Sequence, residues 1–182
     1  MRAVVVYESM FGNTRQIAEA IADGLRERAE VTVVDVNRVS PVDVASVDLM
    51  IVGGPTHVHG MTRANTRAEA EKWTLDPAKN LTLEPGAPGR GIRDWVYDPA
   101  AVVAPLFAAF ATRADLPVII GGNAATQIDR ALHHRATRRL LPAENFLVSK
   151  NNILLFEEAD RAREWGILIG ATATARLANS YW

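Results

Sequence analysis

Residues 3–7, AVVVY, form a short run with three consecutive valines, and the apolar residues Ile17, Ile21 and Leu25 then recur every four positions. A β-branched run of this kind reads as a strand buried on both faces, and the four-residue recurrence as an amphipathic helix. A buried strand leading straight into a helix is the first half of a βαβ unit. It constrains the chain to a parallel sheet covered by helices on both sides. Between the two lie Ser9-Met10-Phe11-Gly12-Asn13-Thr14, the strand-to-helix turn around which residues 2–29 are organised.

That turn has the composition of a phosphate cradle. The unpaired N–H groups at a helix N-terminus, with the helix dipole behind them, favour an anion. Gly12 lets the backbone approach closely or adopt a positive φ. Ser9 and Thr14 carry hydroxyls that can donate to phosphate oxygens, and Asn13 adds a small amide. No lysine follows, so this is not a Walker loop, and the glycine spacing is not that of a dinucleotide fold. A cradle without a cation suits a small phosphate on a tightly held organic group. The alternative is an ordinary helix cap, Asn13 with Gln16 three residues on.

The rest of the chain repeats the alternation. Residues 31–36 (VTVVDV) and 48–53 (DLMIVG) read as strands two and three, with a short helical or irregular link at 41–47. Strand three runs into a long turn, Gly53-Gly54-Pro55-Thr56-His57-Val58-His59-Gly60, and a helix is expected over 62–73. Residues 75–90 carry three prolines and no periodicity, and with a short helix at 91–97 they read as an exposed, irregular insertion at about 74–98. Strand four is expected at 106–112, followed by a loop to 122 in which 117–120 is a candidate extra strand. A helix is expected over 124–141, strand five at 145–150 and a closing helix over 157–178. The fold class is therefore α/β, a three-layer, doubly wound, five-stranded parallel sheet in the order 2-1-3-4-5. Such a sheet binds ligands at the carboxyl ends of its strands where the strand order reverses, here between strands one and three. The turns at 9–14 and 53–60 both leave those ends and should share one crevice.

At 182 residues the chain is read as one domain. Zero cysteines exclude disulfides, thiolate catalysis and iron–sulfur ligation by the chain itself. A net charge of −1 gives no reason to expect nucleic acid or an anionic membrane as partner. The longest apolar run, 99–111, is too short and proline-broken to span a bilayer, and the N-terminal run lacks a cleavage site, so the expected setting is the cytoplasm. His57 and His59, and separately His133 and His134, lack the converging carboxylate a metal site needs, so no metal is expected. Arg130, Arg135, Arg138 and Arg139 read as a basic helix face that is solvated or meets an acidic partner or a nucleotide phosphate. Trp73 and Trp95 flank the insertion, either as satellite core or as a lid or dimer contact. No orienting acid supports a Ser9–His57 nucleophile, so no catalytic side chain is assigned. Only Glu8 stands where a response regulator would need an acidic cluster.

With these residues in place, the chain resembles the flavodoxin-like superfamily. Residues 9–14 look like that family's loop for the phosphate of FMN, and Gly54-Pro55-Thr56 like the start of its second, flavin-lining loop. Thr112 and Arg113 stand at the place of the third. The resemblance implies FMN as cofactor, with Ser9, Met10, Phe11, Gly12, Asn13 and Thr14 around the phosphate. It implies Pro55, Thr56, His57, Val58, His59 and Gly60 along the ribityl chain and ring, Gly60 being the candidate flexible peptide near N5. The implied role is electron transfer, as a redox carrier or an FMN-dependent oxidoreductase, with a redox partner protein or a small-molecule electron acceptor and a homodimer as a further candidate. Two alternatives stand beside it: a flavodoxin-fold binding or regulatory module without flavin, and an NAD(P)H:quinone-type reductase. Phe11 replaces a hydroxyl that many members carry, and His57 stands where electron carriers often place a stacking aromatic.

Overall fold

The computed structural model describes residues 1–135 and 137–179. In chain order the elements are β1 (Arg2–Tyr7), α1 (Asn13–Leu25), β2 (Glu30–Asp35), α2 (Pro41–Ala45), β3 (Leu49–His57) and β4 (Gly60–Met61). There follow α3 (Ala64–Lys72), α4 (Ile92–Val96), β5 (Leu106–Ala114), α5 (Val118–Gly121), α6 (Ala124–His133), β6 (Arg138–Arg139), β7 (Glu144–Val148) and α7 (Glu158–Ala178). The sheet runs β2-β1-β3-β5-β6, with β7 also on β5 and β4 on β3. Every pairing is parallel except β3 with β4. Counting β6 and β7 as one edge position, this is the expected doubly wound 2-1-3-4-5 order.

β1 lies at the centre because both its faces are apolar. Val5 joins Ile51, Ile17, Ile21, Phe146 and Ile169 on the side covered by α1 and α7. Val4 and Val6 join Val52, Phe107, Ile128 and Trp95 on the side covered by α4 and α6. Burying each such side chain stabilises the fold by about 1.5–3 kcal/mol, so this alternation fixes the register. Helices α1 and α7 touch backbone to backbone. A Cβ on Gly24 would lie 2.0 Å from the Arg163 carbonyl oxygen, and one on Gly166 2.2 Å from that of Ile21.

The structure departs from the sequence reading in four places. Strand three does not end at Gly53 but continues to His57 and folds back as a hairpin, His57 opposite Gly60 and Thr56 opposite Met61. Gly53, Gly54 and Pro55 pair in register with Phe110, Ala111 and Thr112, an extended conformation that the φ of proline permits. The helix expected over 124–141 stops at His133, where the Thr137 hydroxyl donates to the Leu132 carbonyl and the chain turns to pair with the start of β5. That dissolves the basic helix face. Arg135 donates to the carbonyls of Val96, Asp98 and Ala101, and Arg139 pairs with Asp129. The fifth strand is split into β6 and β7, and 117–120 forms a helical turn rather than a strand. The insertion is anchored at two points: Glu84 N–H donates to the Met10 carbonyl, and Ala87 is buried against Met10 and Ala70. Among the described residues no helix is long and apolar enough to cross a membrane.

Candidate functional site

Gly12 precedes α1 with φ 95°, the left-handed conformation that a glycine adopts without steric cost. It directs the chain from the end of β1 into the helix so that the helix's first N–H groups face the crevice. No side chain caps those groups. Asn13, read as a cap, is instead the first helical residue, and its amide donates to the Asn152 carbonyl and side chain at 2.8 and 3.1 Å. Ser9 Oγ accepts from Gly12 N–H at 3.1 Å, closing the turn on itself. Glu84 lies on the outer side of Gly12, where Arg15 pairs with it at 3.0 Å.

The turns leaving β1 and β3 do meet. They line one cavity of about 810 Å³ with the end of β5 and the segment after β7. That volume lies within the range of small-molecule and cofactor pockets. Of the sequence-predicted residues, Ser9, Met10, Phe11, Asn13, Thr14, Pro55, Thr56, His57, Val58, Thr112 and Arg113 line it. Gly12 stands behind it as the turn's hinge. His59 and Gly60 face elsewhere: the His59 backbone bridges to Gly122, and Gly60 packs against Gln127. Thr112 and Arg113 belong to β5 itself rather than to a loop.

The hairpin turn carries its left-handed residues at Val58 and His59, φ 43° and 73°, not at Gly60. Positive φ at both central residues of a two-residue hairpin matches the twist of the flanking strands and normally calls for Asn and Gly. A β-branched valine there is a strained residue at the cavity wall.

Side chains outside the turns at 9–14 and 53–60 complete the walls, among them Trp73, for which the sequence offered satellite core or a lid. Trp73 follows α3 directly and lines the cavity, its ring stacked on Phe11 at 6.2 Å between centroids with 16° between planes. His57 lies 6.3 Å from the same ring. Burial holds the His57 imidazole below its ordinary value of 6.5, with Arg67 pushing the same way and a hydrogen bond to the Thr66 backbone opposing. The aromatic wall sought at position 57 is therefore built from Phe11 and Trp73. Lys72 and Lys150 bring cations to the cavity wall beside the acid Glu69, and Ser149, Lys150 and Asn152 supply a further side. The polar run after the last strand, at the carboxyl edge of a parallel sheet, was the signal for them.

Behind the cavity, Glu8 is buried just after β1. It accepts from the Thr62 hydroxyl at 2.5 Å and from Ile92 N–H at 2.8 Å. Burial raises its carboxyl above the ordinary range against those two bonds. Glu8 thus ties the floor of the crevice to α4.

Residues 5–90 match the Flavodoxin family model. The fold is flavodoxin-like. No curated protein matches the chain in sequence. Its flavodoxin-like fold superposes on a flavodoxin from the domain Archaea with a TM-score of 0.63 and 19% identity, over 96% of this chain and 99% of that one. Oxidised Flavodoxin 1 from Bacillus cereus gives 0.62 and 18%, over 96% and 98%. The rubredoxin oxygen:oxidoreductase of Desulfovibrio gigas gives 0.61 and 16%, with 97% of this flavodoxin-like chain aligned to 37% of that longer one.

Proposed function

We propose that this flavodoxin-like protein binds FMN non-covalently and serves in electron transfer. The observation that carries the reading is the uncapped N-terminus of α1, opening into an 810 Å³ cavity with an aromatic wall. The residues present fit the group. The N–H groups opening α1 and the Thr14 hydroxyl receive the phosphate, which supplies the acceptor the helix lacks. Lys150 lends positive charge from the far side. Phe11 and Trp73 offer apolar faces to the ring, and Val58 stands at its edge. When bound, the flavin supplies the redox chemistry, and this chain supplies orientation and exclusion of water. His57, held neutral, places no positive charge against the ring and leaves that part of the site apolar.

Titration of FMN with the purified protein tests this, read by quenching of flavin fluorescence. Saturable quenching at micromolar protein is expected, with riboflavin bound more weakly for want of the phosphate. Equal affinity for the two would show that the α1 N-terminus is not the phosphate site. No quenching of either would favour a flavin-free binding module.

A further inference from the structure

On the far side of the β3–β4 hairpin lies a second cavity of about 340 Å³. It shares His57, Val58, Asn65 and Thr66 with the first, so only the hairpin turn and the start of α3 separate the two. Its chemistry differs. Among the described residues, both formally charged side chains lining it, Arg63 and Arg93, are cationic, His59 stands beside them, and no Asp or Glu lines it. In a chain of net charge −1 this is a local excess of positive charge with no acid to answer it.

Arg93 is held in place with one nitrogen unpaired, and Arg63 is unpaired altogether among the described residues. Arg93 Nε donates to the Thr62 carbonyl and its Nη2 to Gln127 Oε1, both at 3.2 Å, and Nη2 also reaches the Met61 carbonyl at 3.5 Å, which fixes the guanidinium plane. Its Nη1 has no acceptor among the described residues. Gln127 Oε1 also accepts from Met61 N–H at 3.0 Å, so the carbonyl end of that amide is committed and the NH₂ end is free to donate. The Arg63 guanidinium has no ion pair or hydrogen bond among the described residues. The first turn of α3 holds no acidic residue. Arg93 therefore offers Nη1 from a fixed plane, while the whole Arg63 guanidinium is open to pair its N–H groups with a carboxylate or phosphate.

We propose that this second cavity binds a compact oxyanion, the phosphate or carboxylate of the small molecule that exchanges electrons with the cofactor. The inference rests on the FMN reading for the electron exchange, though the anion site itself does not depend on it. A ligand anchored on Arg63 and Arg93 would reach the first cavity across the Val58 turn, which places its other end at the ring edge. The anchor confers selectivity for anionic reactants, and a neutral reactant gains nothing from it.

The test uses the full chain saturated with FMN, so that the α1 N-terminus is occupied, and titrates inorganic phosphate and acetate separately at constant ionic strength. Backbone amides of Arg63, Asn65 and Thr66 and the Arg93 Nε–H are followed by NMR. Saturable shifts in the millimolar range are expected for at least one anion, and the tighter of the two identifies the ligand's head group. Arg63→Gln, on an exposed side chain, should weaken that binding by about five-fold or more, and Arg93→Lys by at least as much. Shifts that do not saturate, that fall only on residues 9–14, or that survive Arg63→Gln unchanged would overturn the site. If FMN does not bind but the anion does, the cofactor reading fails and this site stands. If FMN binds and neither anion does, the reverse holds.

Discussion

The hydroxyls of Thr14 and Thr112 lie 2.7 Å apart, both buried, joining the first turn of α1 to the end of β5. The pair links two of the segments that line the cavity without spending a backbone group. When one hydroxyl accepts from the other, it still has its own proton to give. Thr14, at the helix start, is the one placed to give it to a phosphate. Thr14→Val should therefore lower FMN affinity by about ten-fold to a hundred-fold, the worth of one hydrogen bond to a charged group. Riboflavin affinity should change little, and Thr112→Val should cost less than Thr14→Val. Parallel fluorescence titrations of FMN and riboflavin decide it.

On the FMN reading, Trp73 faces the other end of the ligand. Trp73→Ala removes an aromatic face worth about 0.5–1.5 kcal/mol, or about two-fold to ten-fold in affinity. Because the loss concerns the ring, FMN and riboflavin should weaken together. A loss confined to FMN would place Trp73 away from the ring.

Val58 stores strain at φ 43° in a turn that asks for glycine or asparagine. Val58→Gly should relieve it and stabilise the fold by about 1 kcal/mol, which in a chain of this size raises Tm by roughly 2–4 °C. Differential scanning calorimetry of the two proteins is the measurement. An unchanged or lower Tm would mean that the strain is relaxed in solution or that valine packing outweighs it.

His57 makes stability depend on pH in a defined direction. Its folded pKa lies below the ordinary 6.5, so the folded state binds the proton less readily than the unfolded chain. The stabilisation is fully present above about 6.5 and is lost as pH falls through that value toward the folded pKa. His57→Gln should flatten this part of the curve. Urea midpoints at pH 7.5 and 5.5 for both proteins check it, and the wild type should lose more over that interval.

The sequence made the central strand, α1 and the strand order readable because all three rest on local patterns. Valines at 4–6 mark a strand buried on both faces, and the spacing of Ile17, Ile21 and Leu25 marks one helix stripe. Where the reading failed, a distant partner overrode a local signal. Gly53-Gly54-Pro55 is punctuation by composition, yet β5 alongside holds it extended. Residues 134–141 continue a helical pattern, yet the open edge of β5 takes up Arg138 and Arg139. At the candidate site the turn at 9–14 was legible because its chemistry is contiguous. The pairing of Trp73 with Phe11 and of Asn152 with Asn13 was not, since 62 and 139 positions separate the partners.

The backbone contact between α1 and α7 has a consequence for how the protein is made. The helix that opens the candidate cavity is braced by α7, and Asn13 is held by Asn152. A nascent chain on the ribosome has neither support until its last third has emerged. If the cavity takes FMN as proposed, loading should wait until α7 has formed, and fragments ending before α7 should take no colour from added FMN.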